Sequence, residues 1–331
     1  MRAALALAFW LLSTLSLQAA CAGTDLRPAL APEMRATLAE RLADLPYAEG
    51  NHWRASRGGA VIHLIGTLHA DDPRFDGVTA RLTPLIAEAR LIFLEMTETE
   101  EAALTERLSR DPSILLLEGT TLPEMLPATD WARLSEALRA RGMQPFMAAR
   151  FKPWYVSMIL ALPPCMATDL GLATGLDARL QELAQTTGTP TRALEDPMQV
   201  FAALETTPED QQAQMMAAAL LPPERAEDIF ATLRAAYFDE RPGESWVLSG
   251  LLSSEGAGAL PGGAEAAEAA LAETTQALLG DRNRAWLPRI LAETRPGETL
   301  VVAAGAAHLP GPDGLLALLA AEGFTLERRP F

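Results

Sequence analysis

The segment Val61-Ile62-His63-Leu64-Ile65-Gly66-Thr67-Leu68-His69 and the later run Leu91-Ile92-Phe93-Leu94-Glu95 decide the fold. Val61 to Ile65 is a short apolar run and predicts a buried strand. Between the two runs, Val78, Leu82, Leu85, Ile86 and Ala89 recur at helical spacing on one face. Strand, helix and strand then follow within one βαβ unit, so the two strands are expected to be parallel.

The same design returns near the C-terminus. Thr299 to Ala304 predicts a strand ending in Gly305-Ala306-Ala307-His308, and a helix follows from Gly314 to Ala321. Phe324 to Arg328 predicts a last strand. Thr191 to Leu194 predicts a short strand ending in Glu195-Asp196-Pro197. Between these units the chain reads as mostly helical, with helices opening near Pro127 and Phe151, at Leu176 to Thr186, and from Met198 to Phe238 with a break at Pro222-Pro223. Leu271 to Leu291 predicts another helix, and Ser253 to Ala270 a surface loop leading into it. The expectation is an α/β fold with a central, largely parallel sheet built from N- and C-terminal βα units. A large helical region, about 125–250, is inserted in the single domain 23–331.

Composition limits the partners. The formal charge is −16. Such a chain repels phosphate backbones, so nucleic acid is not an expected partner. Met1-Arg2, the apolar run to Leu17 and the small residues to Gly23 resemble a secretory leader, 1–22, with a cut after Ala20-Cys21-Ala22. The protein is then expected to be periplasmic or secreted, with no transmembrane helix in the mature chain. The alternative is a lipoprotein anchored through Cys21. Cutting after Ala22 leaves Cys165 as the one remaining cysteine, expected to be a small buried residue.

Four predicted strands end in groups able to bind a metal or move a proton: His69, Glu95, Glu195 and His308. In open α/β sheets sites form beyond the carboxyl ends of parallel strands, so these four belong on one rim if the strands are neighbours. Imidazoles with a carboxylate suit a divalent transition metal, Mn, Co, Zn or Fe. His69, Glu95 and His308 are the expected ligands. Glu95 and Glu195 are candidate bases, and Arg282 is a candidate contact to a substrate carboxylate or an oxyanion. Asp177 reads as a helix N-cap, His63 as a sheet-face residue, and His52 as a surface loop residue. Lys152, the single lysine, reads as salt-bridged. No P-loop, His-Glu-x-x-His, Gly-x-Ser-x-Gly or dinucleotide fingerprint occurs.

At these residues the sequence resembles the TraB/GumN-type family, which also includes the Tiki metalloproteases. The matching pieces are Gly66-Thr67-Leu68-His69, Leu94-Glu95, Lys152-Pro153-Trp154, Gly175-Leu176-Asp177, Leu194-Glu195, Asp281-Arg282-Asn283 with Trp286, and Gly305-Ala306-Ala307-His308. The resemblance implies a fold related to the erythromycin-esterase and ChaN-like group, with His69, His308 and Glu95 as the active site. It implies a metal-dependent hydrolase of peptidase or amidase type, acting on a peptide or small-molecule substrate. The same fold group also implies an alternative, an exported protein that holds haem or a metal without turnover.

Overall fold

The computed structural model describes residues 21–166, 175–253 and 263–331. Most of the expected leader and the glycine-rich part of the expected loop, 254–262, lie outside the described residues.

The described strands are β1 (His52–Arg57), β2 (Ala60–Thr67), β3 (Leu91–Leu94), β4 (Thr191–Ala193), β5 (Thr299–Gly305) and β6 (Thr325–Arg328). They form one sheet in the order β4-β3-β5-β2-β1-β6. The four strands β4, β3, β5 and β2 are parallel. As expected, β2 and β3 run the same way. They are not neighbours, however, because the C-terminal strand β5 inserts between them.

Alternation along the strands explains why both faces are covered. Leu91, Phe93, Leu300 and Val302 face a core completed by Trp286, Ile290, Leu315 and Leu319. Ile92, Leu94, Val301 and Ala303 face the opposite core, completed by Phe75, Val78, Leu82, Ile86, Leu176, Leu180 and Tyr237. The helix Phe75–Glu88 presents its predicted stripe to this second core. The helical middle carries a core of its own around Leu117, Leu134, Leu138, Val156 and Met216. Among the described residues no helix is long and apolar enough to cross a membrane.

Two expectations need correction. First, β1 is a strand rather than a loop, and it pairs antiparallel with β2. Its polar composition hid it: Arg54 and Ser56 are only partly covered and Arg57 is exposed. The Gly58-Gly59 turn, with both glycines at positive φ, carried the hairpin signal. His52 is therefore buried, at 8 % exposure, and does not lie on the surface. Its Nδ1 lies 3.0 Å from the Pro330 carbonyl, which can only accept. That leaves His52 Nε2 to accept from His63 Nδ1 at 2.9 Å. Burial lowers His63 to about 4, with His52 and Arg54 adding to the effect, so the pair is neutral at pH 7.

Second, Cys165 is not a lone thiol. It forms a disulfide with Cys21, 144 residues away in sequence. The bond ties the first described residues to the helical region that precedes the Leu176–Thr187 helix. Closing a loop of this length stabilises a fold mainly by restricting the unfolded chain, by about 2–5 kcal/mol. Urea titration of oxidised and reduced protein is expected to show a loss in that range. Identical midpoints would mean that the bond contributes nothing.

Candidate functional site

The site is assembled by the placement of β5. Its pairing with β2 sets Gly66 opposite Ala304 and Thr67 opposite Gly305. The two Gly-x-x-His turns therefore leave adjacent strands at the same level. Neither Gly66 nor Gly305 has positive φ. Gly66 is required by close approach, since a Cβ there would meet the Ala306 Cα at 3.0 Å. Leu94 pairs with Ala303 on one side and Ala193 on the other, which brings Glu95 and Glu195 to the same rim. Across the sheet the order is Glu195, Glu95, His308, His69. All four sequence-predicted groups meet.

Arg282 lies among them. It projects from the helix Asp281–Ala292, which follows a single π turn, Gln276–Gly280. Its Nε donates to both Glu195 oxygens at 3.0 Å. Its Nη2 donates to Glu95 Oε2 at 2.5 Å and also to Glu195. Its Nη1 donates to the Leu278 carbonyl at 3.0 Å and lies 3.2 Å from His308 Nε2. Trp286, one turn further along, donates from Nε1 to Glu195 Oε2 at 3.1 Å. The Trp286 ring lies against His308 with centroids 4.4 Å apart. Arg282 is thus a buried bridge between two carboxylates. The other Glu95 oxygen accepts from the Gly305 N–H at 2.6 Å.

The network fixes the His308 tautomer. Asn283 Nδ2 donates to two carbonyls, those of His308 at 3.2 Å and Asp313 at 2.9 Å. Asn283 Oδ1 must then face His308 Nδ1, 2.7 Å away, and that nitrogen carries the hydrogen. Nε2 is left with its lone pair, 4.0 Å from Glu95 Oε1. Burial lowers His308 to about 4, against the pull of Glu95, so the ring is neutral at pH 7. For Glu95, burial pushes the carboxyl up. His308, Arg282, His69 and the Gly305 N–H outweigh it and bring it down to about 2.

His69 is held differently. Its Nδ1 lies 2.8 Å from Asp177 Oδ2, and its side chain keeps 51 % exposure. Asp177 Oδ1 accepts from Thr67 Oγ1 at 2.5 Å. Asp177 is therefore not the helix cap expected of it. Gly175 occupies the N-cap position, without a side-chain bond. The Asp177 charge raises His69 to about 9 against the effect of burial. Tyr237 completes the frame by donating its hydroxyl to the Gly66 carbonyl at 2.9 Å. Lys152 pairs with Glu205, as expected of it. The roles of Asp177 and Asn283 were the least legible ones. Their signals were the Gly-Leu-Asp and Asp-Arg-Asn-x-x-Trp spacings.

The donor set fits a divalent ion in chemistry and orientation. Each imidazole is engaged on Nδ1, by Asp177 or by Asn283, in the way that outer partners orient metal-binding histidines. The point where a Cβ on Gly305 would lie is 3.3 Å from Glu95 Oε1, 3.7 Å from His308 Cδ2 and 4.0 Å from His69 Nε2. With His308 neutral and His69 protonated, the three carboxylates Glu95, Glu195 and Asp177 face two cations, Arg282 and His69, and exchange of the His69 proton for a doubly charged ion would balance the cluster. Among the described residues no three such side chains stand close enough to enclose an ion as they are. The Arg282 guanidinium holds the place of the cation at His308 Nε2.

Residues 51–328 match the model of the TraB/PrgY/gumN family, and the chain belongs to that family. No curated protein matches the chain.

Glu195 is 5 % exposed, and its carboxylate is spent on Arg282 and Trp286. Removing one partner of such a pair leaves a buried charge short of its counterion. Glu195→Ala is expected to cost about 3 kcal/mol in urea denaturation. A change near zero would show that Arg282 does not depend on it.

Proposed function

We propose that this protein is an exported hydrolase that cleaves peptide or amide bonds at the rim carrying His69, Glu95, His308 and Arg282. The observation that supports it most is the convergence of a neutral imidazole, an ionised carboxylate and a fixed guanidinium at the ends of adjacent parallel strands. Glu95 is held ionised and bonded on both oxygens, and it is the group placed to take a proton from an attacking water. The five N–H groups of Arg282 are already donated, so it contributes a fixed positive charge beside Glu95, which favours the oxyanion that forms when a carbonyl is attacked. Glu195 does not face the reacting atoms. It positions Arg282 from below, together with Trp286. Without a metal, His69, half exposed and paired with Asp177 through Nδ1, is the group best placed to give a proton from Nε2 to the departing amine; with a metal held there, Nε2 would be a ligand instead.

A divalent transition metal (Mn, Co, Zn or Fe) would be held by His69, Glu95 and His308. It would supply Lewis acidity toward the carbonyl and lower the pKa of water. Each histidine would offer Nε2, since its Nδ1 is already committed.

Export is supported by the disulfide, which needs an oxidising compartment. A cut after Ala22 would discard Cys21, and a disulfide-bonded Cys21 has no thiol left to carry lipid. The reading therefore puts the cut before Cys21, in place of the position expected from sequence and of the alternative lipid anchor.

The experiment is hydrolysis of an unstructured protein such as casein with added Mn²⁺, Co²⁺ or Zn²⁺. Glu95→Gln and the His69→Ala, His308→Ala double variant are expected to lose about a hundredfold or more of the rate. The purified protein, weighed intact, should retain Cys21. Equal rates in wild type and Glu95→Gln would overturn the hydrolase reading. A mature chain beginning after Cys21 would overturn the placement of the cut.

A further inference from the structure

The strand β4 closes one end of the sheet, so one of its sides is bonded and the other is not. Ile92 donates its N–H to the Pro190 carbonyl, and Leu194 donates its N–H to the Leu94 carbonyl. Residues 190, 192 and 194 therefore face β3. By strand alternation the N–H and C=O groups of Thr191 and Ala193 face outward. No hydrogen bond among the described residues covers them.

They open into a cavity of about 680 Å³ lined also by Glu195. The opposite wall is the helix Glu98–Arg110, which has no buried residue along its whole length. Its Ala103, Leu104 and Arg107 line the same cavity. Arg107 makes no ion pair among the described residues. The cavity thus combines an unpaired strand edge, a small apolar wall and an uncommitted cation. Through Glu195 it adjoins the Arg282 cluster.

We propose that an extended peptide with an acidic side chain docks in this cavity as an added strand on the outer edge of β4. Its backbone pairs with Thr191 and Ala193, and its carboxylate meets Arg107. This mode of recognition draws affinity from main-chain hydrogen bonds and specificity from alternate side chains. An edge strand left open without such a use is a liability for aggregation. The proposal names the substrate class of the hydrolase site and rests on that reading. The bound strand runs past Glu195 toward Glu95 and Arg282.

The test is fluorescence anisotropy with a short labelled peptide alternating valine and aspartate. Two further peptides carry N-methyl groups, each on one of the two alternate sets of amides. Wild-type protein is expected to bind the parent peptide. Methylation of one set should weaken binding about tenfold or more, while the other set binds like the parent, because an edge reads only alternate amides. Ala193→Pro removes only an outward N–H, leaving the bonds to β3 in place, and is expected to weaken binding to a similar degree. Arg107→Glu should weaken the acidic peptide also. No binding by wild type, or equal effects of the two methylation patterns, would overturn the proposal, and neither result depends on a variant folding. Chromatography of the same samples separates the two readings. Binding without cleavage supports docking and counts against the hydrolase. Cleavage with no difference between the methylated peptides does the reverse.

Discussion

Two carboxylates cannot sit side by side beneath a neutral imidazole unless a positive charge is fixed between them. Arg282 supplies that charge. It holds Glu195 through Nε and Nη2, Glu95 through Nη2, and reaches His308 through Nη1. A guanidinium suits the task because its donors form a planar fork, which an ammonium cannot reproduce. The Leu278 carbonyl and the Trp286 ring fix the fork in turn. The helix that carries Arg282 also carries Asn283, which orients His308, and Trp286, which packs on it. A single helix face therefore sets the charge state of both carboxylates and the tautomer of the histidine.

The sheet makes this possible through the insertion of β5. Had β2 and β3 been neighbours, His308 would leave the sheet at its edge, away from Glu95. With β5 between them, the C-terminal turn sits in the middle of the rim. His69 stands on one side of it and the two glutamates on the other. The close approach at Gly66 follows from the same insertion, because the turn bearing Ala306 crosses the end of β2. Fold and site therefore share one cause. The outer side of β4 is the other consequence of this strand order: the strand next to the glutamates is also the strand with an open edge.

Much of this was legible before the structure. The apolar runs Val61–Ile65, Leu91–Leu94 and Thr299–Ala304 announce buried parallel strands, because a strand covered on both faces shows no polar alternation. Each of them, and the short run Thr191–Leu194, is followed by a polar group at the strand end, so His69, Glu95, Glu195 and His308 could be named together. Strand order could not be read, since local patterns do not say which strands pair. β1 was missed because Arg54, Ser56 and Arg57 give it a polar cast, although Gly58-Gly59 marked its hairpin. Asp177 looked like a cap because a carboxylate near a helix start is common. Its bond to Thr67 and its contact with His69 are long-range and leave no local trace. Cys21 looked expendable for a similar reason, its partner being far along the chain.

The claim on which the account rests is that the Arg282 helix presents His308 as a neutral ring whose Nε2 lone pair faces Arg282 Nη1, beside Glu95. Nitrogen NMR of histidine-labelled protein at pH 7 tests this directly, and the chain has only four histidines to assign. The account predicts that His308 carries its hydrogen on Nδ1 and shows an unprotonated Nε2. An imidazolium, or a hydrogen on Nε2, would contradict it.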